Sequence, residues 1–108
     1  MSLVPPGSIE RYVESINAAD ATEASLCFST EARVLDEGEW IEGRPAIEKW
    51  ITSTHEKYNH QTTPMSFVGD TNAGVLAAKV EGTFKGSPIN LKFEFRLTDG
   101  LISELKIG

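Results

Sequence analysis

With 108 residues, 40% of them apolar and 24% charged, the chain suits one folded domain and excludes both a disordered polymer and a pair of ordinary domains. Sixteen acidic against ten basic side chains leave a formal charge of -6, a field that repels phosphate backbones and anionic lipid and so excludes nucleic acid and membrane as expected partners. The single cysteine, Cys27, rules out an internal disulfide and a thiolate metal cluster, and fits a reducing, cytoplasmic setting.

No apolar run approaches the ~20 residues that span a bilayer. The N-terminus also lacks the basic stretch and apolar core of a secretory leader. Met1–Pro6 carries two prolines and no periodic pattern. Residues 1–7 are therefore expected as a flexible segment ahead of a single domain over residues 8–108.

From Ser8, the residues Ile9, Tyr12, Val13 and Ile16 follow the spacing of one helical face, with Glu10, Arg11, Glu14 and Ser15 outside. Asp20 with Glu23 three residues on reads as a capping box opening a short second helix, with Ala24, Cys27 and Phe28 as its inner stripe. A strand is expected over Ala32–Glu37, a turn at Gly38, and a brief extended piece over Glu39–Glu42. Pro45 suits the first turn of a third helix, whose stripe is Ile47, Trp50, Ile51, Thr54, His55 and Tyr58.

After Tyr58 the apolar period changes from about 3.6 to 2. Strands are expected over Thr62–Gly69, Gly74–Phe84 and Ile89–Thr98, and Asp99-Gly100 turns the chain into a last strand over Leu101–Ile107. In the strand from Ile89, apolar Ile89, Leu91, Phe93, Phe95 and Leu97 alternate with polar partners, so one face is continuously apolar. Helices followed by a meander argue for an α+β fold, with helices on one face of a mostly antiparallel sheet. Small inward residues such as Ala78 and Gly82 leave volume between sheet and helices.

Metal and nucleotide chemistry find no pattern here. His55 and His60 are five apart, about 140° around a helix, where a zincin helix needs a spacing of four. Asp36, Glu37, Glu39 and Glu42 lack the oxygen pattern of a calcium loop and read as a solvated turn. No G-x-S-x-G, P-loop or dinucleotide fingerprint is present. Neither a metal nor a cofactor is expected.

The order of these elements, with "RYVESINAAD", "ARVLDE", "GRPAI" and "FRLTDGLISELKI", resembles the nuclear transport factor 2-like superfamily and, within it, the SnoaL-like proteins. The resemblance runs from about Ser8 to Ile107. It implies a cone, in which a curved sheet wraps around three N-terminal helices with a pocket at the open end, and a homodimer across the outer sheet face. Its members range from isomerases, cyclases and hydrolases to non-catalytic adaptors, so fold alone does not choose an activity.

Compared with ketosteroid isomerases, Tyr12 falls at the oxyanion tyrosine, inside a similar Arg-Tyr-Val helix, and Asp36 falls at the catalytic base. Where that family has a protonated aspartic acid this chain has Phe93. That loss of one donor is typically worth ~2.7–4 kcal/mol of transition-state stabilisation and argues against steroid isomerisation itself.

Asp36 shares strand parity with Ala32 and Val34. If that face is the inner one, its carboxylate enters an apolar space; if Leu35 points inward instead, Asp36 is solvated beside Glu37. Tyr12 lies on a buried stripe as either core or ligand contact, and His55 as either proton shuttle or satisfied core group. Trp40, Trp50, Tyr58, Phe93, Phe95 and Phe28 are expected to line the pocket, around a small apolar molecule. Two functions fit: a cofactor-free enzyme moving protons or water on a carbonyl-type substrate, and a non-catalytic binding or interaction module.

Overall fold

The computed structural model describes residues 5–108; the first four residues of the expected flexible segment lie outside them. The first helix, α1 (Gly7–Asn17), starts behind Pro6, whose carbonyl accepts the Ile9 and Glu10 N–H groups at 3.0 and 3.2 Å. It buries Ile9, Tyr12, Val13 and Ile16, the stripe seen in the sequence, and also Ser15, which the sequence pattern placed outside. In α2 (Ala21–Ser25) the Asp20 carboxylate accepts the Glu23 N–H at 3.1 Å, as the capping pattern predicts.

That second helix stops earlier than its stripe implied. Cys27 lies in a turn and Phe28 opens β1 (Phe28–Asp36), four residues before the expected strand start. The backbone explains the correction: the Cys27 carbonyl accepts the Ile102 N–H at 2.9 Å, and Arg44 Nε donates to the Phe28 carbonyl at 2.7 Å. Both groups are thus committed to partners outside the helix.

Glu37 and Gly38 both take positive φ, 52° and 79°, the geometry of a tight hairpin turn, and β2 (Glu39–Glu42) returns antiparallel along β1. Helix α3 (Arg44–Tyr58) has Pro45 in its first turn and ends on Asn59 in the left-handed conformation, whose N–H donates to the His55 carbonyl at 2.7 Å. Strands β3 (Gln61–Gly69), β4 (Ala73–Glu81), β5 (Ile89–Thr98) and β6 (Leu101–Ile107) complete the chain. Strand β4 ends three residues before the expected Phe84. There the Thr83 N–H turns out of the ladder to the Tyr58 carbonyl at 2.7 Å, and the Gly82 N–H to Ser87 Oγ at 2.9 Å.

The six strands form one curved, open sheet in the order β2-β1-β6-β5-β4-β3, antiparallel except for β1 against β6. Register shifts at Phe28/Arg33, Pro64/Ser66 and Arg96/Leu97 bend the strands as bulges do. The helices cover one face. Ile9, Ile16, Ile47 and Ile51 from the helices meet Phe28, Val34, Leu76, Ala78, Phe95, Ile102 and Leu105 from the sheet.

The other face is mixed. Glu104 takes Arg33 at 2.8 Å, with Arg96 and Lys106 at 3.9 Å, whereas Met65, Val68 and Val75 are exposed on the β3–β4 side. No described helix is long and apolar enough to cross a membrane.

Candidate functional site

Helices and sheet do not meet everywhere. A cavity of about 390 Å³ remains between them, within the range of small-molecule sites, about 300–1,000 Å³. Its apolar walls come from Ile16, Ile51, Val80, Leu91, Phe93 and Ile107, and its polar groups from Tyr12, Asp36, Thr54, His60 and Thr62. Glu37, Tyr58, Phe84 and Lys85 also line it.

Alternation along β1 decides the facing of Asp36. Ala32 and Val34 are buried at 1% and 0% exposure, and Asp36, next on the same face, enters the cavity. There Trp50 Nε1 donates to Asp36 Oδ2 at 3.0 Å. Burial pushes the Asp36 carboxyl up from the usual carboxylate value; the Trp50 bond opposes this and the neighbouring Glu37 charge adds to it. The result is a carboxylate destabilised by its surroundings but fixed in direction by one indole.

Tyr12 reaches the cavity from α1 with only 2% exposure. Its ring stands edge-on to Phe28 and Phe95, with centroids 5.4 and 6.0 Å away. Burial, and then the Asp36 charge, raise its pKa far above the ordinary phenol value, so the hydroxyl remains a proton donor. Phe93 lines the cavity, stacked against Phe95 at 6.5 Å, and offers no donor.

At the rim, Tyr58 Oη donates to Glu37 Oε1 at 3.0 Å and its ring meets Phe84 edge-on at 5.7 Å. The Tyr58 carbonyl is held by both the N–H and the hydroxyl of Thr83, at 2.7 and 3.1 Å, which ties the end of α3 to the β4–β5 connection. Among the described residues, no three His, Cys, Asp or Glu side chains are grouped to hold a metal ion.

The structure brings Tyr12, Asp36, Trp50, Tyr58 and Phe93 to one cavity and leaves four other candidates outside it. Trp40 is 41% exposed, with the Arg33 guanidinium 4.1 Å above its ring, because β2 is an edge strand and its side chains meet little of the core. Phe28 and Phe95 are at most 2% exposed; they pack under Tyr12 and support it instead of facing the cavity. His55 lies behind the wall, its ring 6.0 Å from that of His60.

His60 takes the lining place that periodicity assigned to His55. The left-handed Asn59 ends α3 and reverses the chain, so the residue after it points inward. The signal was present as an asparagine at a helix end followed by His60 and the buried Thr62 at strand alternation.

No family model and no curated protein matches the chain. Among solved structures, a candidate polyketide cyclase from Sinorhizobium meliloti superimposes with a TM-score of 0.92 at 30% identity, over 96% of this chain and 95% of that one. The chain belongs to the nuclear transport factor 2-like superfamily, with its SnoaL-like proteins.

A protein with a ketosteroid isomerase-like fold from Catenulispora acidiphila, solved in complex with trimethylamine, matches with a TM-score of 0.85 at 16% identity, over 97% and 86% of the two chains. A nuclear transport factor 2-like protein of unknown function from Cytophaga hutchinsonii matches at 0.81 and 12%, over 100% and 91%. At those identities the likeness is one of fold. In this chain the cavity lies where helices and curved sheet diverge, and its chemistry rests on the chain's own side chains.

Proposed function

We propose that the protein binds a small apolar, carbonyl-bearing molecule in this cavity and, without a cofactor, moves a proton on it. One observation carries the reading: Asp36 is a carboxylate inside an otherwise largely apolar cavity, aimed by the Trp50 indole and accompanied by the Tyr12 phenol. A base raised by burial toward neutrality is suited to abstracting a weakly acidic proton. In the proposed step Asp36 takes the proton from the carbon beside the carbonyl, the C–H electron pair moves into the new C=C bond, and the carbonyl π pair moves onto oxygen. Tyr12 donates a hydrogen bond to that oxygen. Return of a proton from Asp36 to carbon, once the carboxyl has exchanged with water, closes the cycle with no net change in charge.

The test follows deuterium uptake at the α-carbon of β-tetralone in heavy water by NMR. The protein is expected to accelerate exchange, and Asp36→Asn to remove at least ~100-fold of that acceleration. Undiminished exchange in Asp36→Asn overturns the assignment.

Phe93 favours a second reading, a non-catalytic ligand-binding or interaction module, since it leaves the oxygen site one donor short. On that reading β-tetralone binds without exchanging faster than in buffer. We also propose a homodimer through the outer sheet face, supported by the exposed Met65, Val68 and Val75.

A further inference from the structure

His60 is a cavity-lining group that this proton transfer does not use. It faces the cavity from the turn between α3 and β3, with the His55 ring edge-on behind it. Nδ1 of each ring is sealed from solvent without a hydrogen-bond partner. The bond made by one histidine nitrogen normally dictates which nitrogen carries the proton. His60 has no such bond at Nδ1, so its tautomer follows whatever meets Nε2.

A neutral ring in that position accepts from a hydroxyl in one tautomer and donates to a carbonyl in the other. Its neutrality follows from its surroundings. Burial first, and His55 second, hold the His60 pKa below the ordinary histidine value, with its own backbone and then the Asp36 charge pulling the other way. Elsewhere in the same lining, Ile16, Ile51, Val80 and Leu91 offer no hydrogen bond, and the Thr54 hydroxyl already donates to the Ile51 carbonyl at 3.1 Å.

We propose that His60 Nε2 recognises a second oxygen of the ligand, so that the cavity selects apolar ring molecules bearing two oxygen functions over those bearing one. The inference rests on the cavity being a small-molecule site. A ligand with a single oxygen, held at Tyr12, leaves His60 unpaired on a largely apolar wall, and unpaired buried polar groups are costly.

The experiment titrates β-naphthol and naphthalene-2,6-diol into the full chain carrying 15N-labelled histidine. The diol is expected to bind about tenfold tighter and to move the His60 Nε2 resonance. His60→Phe should bring the two affinities together, whereas His60→Gln, which can still hydrogen-bond, should keep part of the preference. A preference undiminished in His60→Phe, or a His60 resonance unmoved at saturating diol, overturns the proposal. If His60→Phe does not fold, the wild-type spectrum decides alone. Exchange of β-tetralone separates the two readings: exchange intact without a diol preference removes the role of His60 only, and failure of both naphthols to bind removes both.

Discussion

At Asp36 two demands conflict. A carboxylate held among Ile51, Trp50 and Phe93 loses hydration, and the Trp50 N–H returns only part of what water supplied. Because the folded-state pKa is raised, the linked stability is fully present below the unfolded value, about 3.9, and is lost as pH rises through the folded one. Asp36→Asn, which carries no charge to bury, should therefore gain in Tm relative to wild type as pH rises from about 4 to 7, in thermal scans across that range. Trp50→Phe removes the one side-chain hydrogen bond that favours the charged form. It should push the Asp36 pKa further up, seen as a shift of the acidic limb of the β-tetralone exchange profile to higher pH. A limb that does not move would mean that the indole orients Asp36 without tuning it.

How much of this was legible in the sequence varies with the residue. Strand alternation put Asp36 in line with Ala32 and Val34, and the structure keeps all three on the inner face. His60 was hidden because periodicity extrapolates a helix past its end; a single left-handed residue, Asn59, turns the next side chain through an angle that no period describes. Phe28 was misassigned for a related reason. Ala24, Cys27 and Phe28 have helical spacing and are all buried, but they reach the core on successive elements.

Among the elements, the short α2 depends on its cap more than a long helix does, since five residues make few internal hydrogen bonds. Asp20→Ala should cost about 1 kcal/mol, measured by urea unfolding. The junction between α3 and β4 has less tolerance. A Cβ on Gly82 would lie 2.4 Å from the Tyr58 carbonyl oxygen, a backbone atom already fixed by Thr83. Gly82→Ala should therefore destabilise by about 1–3 kcal/mol in the same assay. It should also disturb the rim, because Tyr58 and Phe84 both hang from that junction.

At the scale of the whole molecule, the outer sheet face divides into a charged half around Glu104 and an apolar half around the directly paired Val68 and Val75. If two copies meet across the apolar half, Val75→Glu places a second carboxylate opposite Glu94, its partner in β5. The variant should sediment as monomer at concentrations where the wild type is a dimer. A wild type that stays monomeric at high concentration would remove the dimer altogether.

The parallel pairing of β1 with β6 also orders events in time. Phe28 is matched to Ile102, so as the chain leaves a ribosome at about 5–20 residues per second, the earliest strand waits seconds for the neighbour that completes its inner edge. During that interval β1 has only β2 and the helices beside it, while β3 and β4 can already pair as a hairpin. Arrival of Leu101–Ile107 joins the two halves of the sheet and adds Ile107 as the last piece of the cavity wall.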